Sequence, residues 1–384
     1  MTPLKRCPGC NDSRLSAPWT LPRQPVVLNY RFAKPADAMR VARRDLRLAQ
    51  CLRCGLIFNS ALDEKAIPYD TNYENRQGCS PAFQKHLGTL ADGLIKKYSL
   101  HHGRILEVGC GKGDFLKMLC VRANAKGVGY DTSYEGPVVS AKPSLRFHQR
   151  YVAASDVRTK FDAVICRHVV EHVGGIGAFL SGLRGIAAAA GDPIIVIETP
   201  AFEWIAKHDC FWDIFYEHCN YFTRRCLAYL CERAGFEVVR QRLVFGGQYQ
   251  VLELKVRRSA MVEPRPPGAS VRLAAFARRA DAAKHRLEEK LRRHGAARGW
   301  AVWGAGAKGV ALVNGLRRLP PRFVIDANTA KQGCFIPGSR VPVIAPDDPR
   351  IQSLALILIA NPNYSREITF ALRQGGFAST ILTA

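Results

Sequence analysis

Three groups of residues in this chain have the types and spacing to do chemistry. The first is a glycine turn, Gly109-Cys110-Gly111-Lys112-Gly113, with one acid before it, Glu107, and another, Asp131, 20 positions after Gly111. Glycine lets a backbone turn sharply and admits a ligand with no Cβ in the way. A carboxylate at that offset can accept both ribose hydroxyls of an adenosine. The second group is titratable: His168, Glu171 and His172 follow one apolar run, and the adjacent pair Glu217-His218 lies among six aromatics between 211 and 222. An aromatic stripe is ordinarily core, but buried titratable groups are costly without partners, so this pair stands as a candidate for proton transfer. The third group is Cys7-Pro8-Gly9-Cys10 and Cys51-Leu52-Arg53-Cys54, two C-x2-C pairs separated by 40 residues. Each pair can offer two thiolates to one Zn²⁺, and four thiolates leave no open position, so this zinc is expected to be structural.

These groups need elements to hold them in place. Ile105-Leu106-Glu107-Val108 is an apolar run of the kind expected for a buried parallel strand, and Phe115, Leu116, Leu119 and Val121 then take helical spacing. Strand, turn and helix make the first crossover of a doubly wound sheet. Further strands are expected at 127–131, 161–166 and 193–200, with a helix over 176–190. Ligands of open α/β sheets bind beyond the carboxyl ends of the strands, so His168, Glu171, His172 and Glu198 should fall at the mouth of the site. Thr223 caps a helix ended by Gly235, and strands over 236–243 and 248–255 complete the sheet across Gly246-Gly247. Between the cysteine pairs, alternating runs at 26–30 and 45–48 read as short strands. Tyr69 and Tyr73 precede a helix with Ser80 as cap and Pro81 in its first turn. Three prolines and a glycine make 261–270 a linker, and apolar residues at 273, 276, 280, 283, 287 and 291 mark a helical face. A literal Gly304-x-Gly306-x-x-Gly309 then follows a strand and precedes a helix, with Asp326 22 residues beyond the first glycine. On spacing alone this is an NAD-binding unit.

At 384 residues the chain exceeds one core and suggests two or three domains. An apolar content of 47% with 23% charged residues is that of a folded soluble protein. No apolar run reaches the length of a membrane span and no apolar signal segment opens the chain, so a cytoplasmic location is the expectation. There, 13 cysteines remain thiols apart from the four with metal spacing. A formal charge of +24 attracts polyanions, which admits nucleic acid, an acidic membrane surface or a diphosphate-bearing substrate. The excess is mostly arginine spread along the chain rather than run into blocks, which reads as a solvated surface.

The run Glu107-Val108-Gly109-Cys110-Gly111-Lys112-Gly113-Asp114 resembles motif I of class I S-adenosylmethionine (SAM) methyltransferases. In that motif the acid before the first glycine belongs to the cofactor site, so the resemblance implies that Glu107, Gly109, Gly111, Gly113 and Asp131 bind SAM. The order of zinc module, SAM sheet, Glu-His segment and Gly-Ala-Gly-Ala-Lys-Gly turn resembles the sugar C-methyltransferases over nearly the whole chain. These act on nucleotide-linked keto-deoxysugars. The resemblance implies an α/β protein: a class I methyltransferase (Rossmann-like) sheet, flanked by an N-terminal zinc-binding module and a second, C-terminal Rossmann-like α/β domain. The divisions are 1–75, 76–260, a linker and helix over 261–298, and 299–384. In that family the last domain is no dehydrogenase, and its signatures are present as Ala307-Lys308-Gly309, Lys331-Gln332-Gly333 and Pro337-Gly338.

The family's catalytic histidine after strand four matches His172, and the Glu-His of its Tyr-His-Glu-His motif matches Glu217-His218. The motif's tyrosine falls on Phe215 and its first histidine on Tyr216; the Gly-Gly-Ser-Leu-Arg turn is here Gly246-Gly247-Gln248-Tyr249-Gln250. A carbon nucleophile must first lose a proton α to a carbonyl, which takes a base of near-neutral pKa and a donor to the developing enolate oxygen. The resemblance implies His218 as base, Glu217 orienting it, and His172 or Tyr216 steadying the enolate, with a nucleotide-sugar as substrate. The missing motif tyrosine leaves open O- or N-methylation of a sugar or other small anionic metabolite. An RNA-directed methyltransferase is suggested by the charge and the zinc module and opposed by the lack of an RNA-binding signature; a shallow salt slope for heparin or RNA would count against it. A non-catalytic binding protein is opposed by the two acids around the glycines. No oligomeric state follows from the sequence.

Overall fold

In the computed structural model of this chain, which describes residues 3–74, 76, 78–141, 143–259, 263–295 and 299–384, the strands form three sheets. The N-terminal unit contributes β1 (Trp19–Pro25), a short helix α1 (Pro35–Met39), β2 (Arg43–Gln50) and β3 (Ile57–Asn59), paired antiparallel. The run at 26–30, expected as a strand, is instead a buried loop. Its apolar residues Val26, Val27 and Leu28 pack into the core, and the Leu28 N–H goes to the Glu217 side chain rather than to a neighbouring strand.

The central unit begins with α2 (Pro81–Tyr98), whose first turn is capped by Ser80 accepting the N–H of Phe83. It continues through β4 (Arg104–Val108), α3 (Asp114–Ala123), β5 (Lys126–Tyr130), β6 (Val139–Ser140), β7 (Leu145–His148), β8 (Ala163–Arg167), α4 (Ile176–Ala189), β9 (Ile194–Pro200) and α5 (Phe202–Lys207). Then come β10 (Asn220–Tyr221), α6 (Arg224–Arg233), β11 (Phe236–Val244) and β12 (Tyr249–Val256). Eight strands lie in the order β11-β12-β9-β8-β4-β5-β7-β6, with β12 antiparallel to both neighbours. Helices α2 and α3 cover one face and α4 and α6 the other. Ile105, Ile165 and Val196 enter the first core, and their neighbours Leu106, Val164 and Ile195 the second. Because both faces are covered, these strands read as largely apolar runs with polar residues toward their carboxyl ends, and each fully buried aliphatic chain contributes about 1.5–3 kcal/mol. The short strand β10 leaves this sheet and pairs with β3, so the segment carrying Glu217 and His218 is stitched to the N-terminal unit.

A long helix α7 (Leu273–Gly295) buries Leu273, Phe276, Ala280, Leu287 and Leu291 in a core shared with Phe202 and with Trp300 and Val302 of the last unit. That unit comprises β13 (Trp300–Trp303), α8 (Ala307–Gly315), β14 (Phe323–Ile325), β15 (Val343–Ile344), β16 (Leu356–Ile359), α9 (Ser365–Gln374) and β17 (Thr380–Thr383). Its sheet is parallel throughout, in the order β15-β14-β13-β16-β17. The expected domain boundaries at 75, 260–261 and 298 fall on residues outside the described set. Among the described residues no helix is long and apolar enough to cross a membrane.

Candidate active site

The carboxyl ends of β4, β5, β8 and β9 open into a cleft of about 1780 Å³. It is also lined by Glu64, Tyr69, Tyr73 and Arg76 and by residues of the last sheet. At one end β4 delivers Glu107, 2% exposed, whose Oε2 is buried and has no hydrogen-bond partner. Burial pushes this carboxyl up to about 8, against the pull of Arg167. Gly109, Gly111 and Gly113 all hold left-handed φ, at 73°, 55° and 81°. A Cβ on Gly109 would overlap the Cγ2 of Val169, so only glycine fits there. Asp131, just past β5, accepts from the Gly111 N–H at 2.8 Å through one oxygen, and from the N–H and Oγ of Ser133, both at 2.7 Å, through the other. The carboxylate therefore braces the turn and keeps lone pairs for a ligand, since each oxygen carries two.

The same cleft holds two imidazoles. His172 ends the turn after β8, and its ring meets that of His218 edge-on at 4.8 Å. The Tyr69 hydroxyl is 3.1 Å from Nδ1 of His172. Burial, with His172, Lys308 and His168 nearby, holds the His218 pKa well below its ordinary value, and its Nδ1 has no partner among the described residues. Phe215 packs against the ring at 4.2 Å. Donor atoms of Glu171, His172 and His218 lie within 4.8 Å of one another, close enough to share a cation.

Two of the expected roles do not match this geometry. Tyr216 is 0% exposed and does not line the cleft. Its hydroxyl accepts the Asp63 N–H at 2.8 Å and donates to the Ala61 carbonyl at 3.4 Å. Glu217 does not orient His218. Its carboxylate accepts the Tyr73 hydroxyl at 2.8 Å and the Leu28 N–H, and burial pushes its pKa up. The cause is the side-chain order along this segment: Phe215 and His218 face the cleft, while Tyr216 and Glu217 face the N-terminal unit. The hydroxyl that does reach a cleft histidine belongs to Tyr69.

Glu198, at the end of β9, gathers the charges at the strand ends. Its Oε1 lies 2.7 Å from Nε2 of His86, its Oε2 2.5 Å from Nε of Arg167 and 3.8 Å from Nε2 of His168. Although burial pushes the other way, Arg167 and the bond from His86 hold this carboxyl well below the usual range. Glu171 accepts from Thr199 at 2.9 Å and lies 3.3 Å from His168 Nδ1. Sequence reasoning placed His168, Glu171 and Glu198 at the strand ends without partners, and it missed Arg167 and His86. For Arg167 there was a signal, a charged residue closing an apolar strand; for His86, within an ordinary amphipathic helix, there was none.

The last sheet closes the cleft with Gly304, Gly306, Lys308 and Asp326. Lys308 pairs with Asp213 and sits 4.9 Å over the Trp204 ring. Asp326 accepts the Ala305 N–H at 2.6 Å and the Asn328 N–H at 2.7 Å. Away from the cleft, Cys7, Cys10, Cys51 and Cys54 converge, all buried, with sulfurs 3.6 Å (Cys7–Cys54) and 3.5 Å (Cys10–Cys51) apart. This is too far for a disulfide and near the ~3.8 Å edge of a tetrahedron built on a ~2.3 Å Zn–S bond. The donor set fits zinc.

Two family models match the chain: "Methyltransferase domain" over residues 83–241 and "C-methyltransferase C-terminal domain" over residues 269–377. The C-methyltransferase NovU of Streptomyces niveus is 26% identical over 347 residues, 84% of this chain and 81% of that one. A ubiquinone biosynthesis O-methyltransferase of Bradyrhizobium sp. (strain ORS 278) is 32% identical over 111 residues, which make up 26% of this chain and 41% of the relative. Among solved structures, magnesium protoporphyrin IX methyltransferase from Synechocystis PCC 6803 with bound SAH covers 45% of this chain and 83% of its own, at 17% identity and a TM-score of 0.36.

Proposed function

The chain belongs to the C-methyltransferases built on a class I, SAM-dependent methyltransferase domain, and from that premise we propose that it methylates a carbon of a nucleotide-activated keto-sugar through an enolate. The observation that carries this reading is the pairing of two imidazoles, His172 and His218, in one cleft with Glu107 and Asp131. SAM supplies an activated methyl group, so the protein's task is alignment and deprotonation. Glu107, the glycine turn and Asp131 hold the donor. His218, kept neutral by burial and by its positive neighbours, takes the proton α to the carbonyl. In the tautomer whose Nδ1 accepts from the Tyr69 hydroxyl, 3.1 Å away, His172 keeps its Nε2 hydrogen for the enolate oxygen. Glu217 and Tyr73 fix the backbone from which His218 projects.

Zinc on Cys7, Cys10, Cys51 and Cys54 ties the two knuckles together and, through the β3–β10 pairing, steadies the Glu-His segment. The thiol content suits the cytoplasm. A second reading, transfer to oxygen, is favoured by Phe215, which brings no hydroxyl to the position of the family tyrosine. The deciding experiment is incubation with methyl-labelled SAM and a panel of nucleotide-linked keto-sugars, with products located by mass spectrometry and NMR. A new carbon–methyl bond on one of them is the expected product. A methyl ether supports the second reading, and no product from any keto-sugar overturns both.

A further inference from the structure

Among the described residues, five that line the cleft each carry a buried polar atom with no hydrogen-bond partner: Glu107 Oε2, Arg167 Nη2, His168 Nε2, Glu171 Oε1 and His218 Nδ1. Buried polar groups are seldom left unpaired in native proteins, and where several converge they point to a ligand. The histidines and Glu171 belong to the proton-transfer end. Glu107 and Arg167, an acid and a guanidinium, lie apart from these on adjacent strands.

They come from adjacent strands: β4 ends just after Glu107 and its parallel neighbour β8 ends in Arg167. The Arg167 side chain is 8% exposed and held from two sides. Its Nε donates to Glu198 at 2.5 Å, and its guanidinium lies 4.2 Å over the Phe115 ring in the first turn of α3. Glu198 is itself fixed by His86 at 2.7 Å. The guanidinium is thus set before any ligand arrives, and its Nη2 has no hydrogen-bond partner among the described residues. A preorganised guanidinium edge recognises a carboxylate, which it can engage with little further loss of side-chain freedom. A buried, unpaired carboxylate beside it has the complementary preference, for an ammonium. An acid and a guanidinium side by side at the donor end of the cleft match the two charges of an α-amino acid.

We propose that Arg167 binds the α-carboxylate of the methionine moiety of SAM, next to the α-ammonium at Glu107. This rests on SAM as the methyl donor and is independent of the acceptor, so calorimetry on the full chain without acceptor tests it alone. The probes are SAM, decarboxylated SAM and 5′-methylthioadenosine, which lacks the amino-acid chain. A hydrogen bond to a charged group corresponds to roughly a 10- to 100-fold change in affinity. The wild-type chain should therefore bind decarboxylated SAM about 10- to 100-fold more weakly than SAM. Arg167→Met should lose a similar factor for SAM, cease to distinguish the two, and bind 5′-methylthioadenosine like the wild type. Equal wild-type affinities for SAM and decarboxylated SAM overturn the proposal, and this comparison needs no variant to fold. A parallel loss for 5′-methylthioadenosine in Arg167→Met makes the residue structural and also overturns it. So does unchanged SAM affinity with a raised KM for the acceptor, which would give the guanidinium to an acceptor anion.

Discussion

Replacing Glu107 by glutamine separates the cost of a buried carboxylate from its use. Burial raises this group from 4.5 to about 8. An acid raised on folding takes up a proton when the chain folds, so its contribution is most favourable below pH 4.5 and is lost progressively as pH rises toward 8. Above that window the folded protein carries an ionised, buried, unpartnered carboxylate, a cost of about 5 kcal/mol at ~1.4 kcal/mol per pKa unit. Glu107→Gln has the same shape and no such titration. The variant should be the more stable free protein, and its advantage should widen by about 2 kcal/mol between pH 6 and pH 8. Urea unfolding of both proteins, followed by tryptophan fluorescence with zinc present, reads that difference. SAM binding must show the converse. An ammonium at Glu107 favours the ionised form, so at pH 7 binding should release close to one proton from the wild type and none from the variant, which calorimetry in buffers of different ionisation enthalpy detects. A stability difference that does not change with pH, together with no proton release, would refute the reasoning and mean that water or a cation already satisfies Oε2.

His218→Ala should lower turnover by about 10²- to 10⁴-fold, the range for loss of a general base, with SAM affinity intact by calorimetry; lost SAM binding would show the base is misplaced. Tyr69→Phe should reduce kcat by about 10-fold through its bond to His172, whereas Tyr216→Phe, whose hydroxyl faces Asp63 and Ala61, should leave kcat within about 2-fold; the reverse ranking sinks the assignment. Elemental analysis should find one zinc per chain. Cys51→Ser should remove it, lower the melting temperature and depress turnover, and wild-type protein free of zinc would end that part of the reading.

Much of the central sheet was legible because its strands are buried on both faces. Runs such as 105–106 and 194–197 are apolar throughout, with a carboxylate, Glu107 or Glu198, only near the strand end, and Thr223 and Gly235 mark the ends of α6 chemically. The glycine turn was legible for a similar reason: its left-handed angles exclude other residues. The run at 26–30 misled because alternation describes a buried loop as well as a strand. Its backbone donor is taken by a side chain 189 residues away, which no local pattern records. The roles of Tyr216 and Glu217 were misjudged for the same reason. Adjacency in sequence suggested that Glu217 serves His218, but Tyr216 and Glu217 lie in a turn, and the Glu217 carboxylate is taken by Leu28 and Tyr73 of the N-terminal unit while His218 lines the cleft.

The N-terminal unit therefore does more than bring four thiols together. It supplies the Leu28 N–H and the Tyr73 hydroxyl that satisfy the buried Glu217, the Tyr69 hydroxyl that reaches His172, and the strand edge on which β10 lies. Without these partners Glu217 would be a buried carboxylate with nothing to accept, a cost of several kcal/mol for an unpaired charge. The chain around His218 would then have reason to rearrange. The last sheet acts from the other side, through the Lys308–Asp213 pair and the Trp212 indole bonded to the Ala360 carbonyl at 2.9 Å. The Glu-His segment is thus clamped between two units that hold no part of the glycine turn. Its position relative to the methyl donor depends on both, and damage to either should appear as lost turnover while SAM still binds.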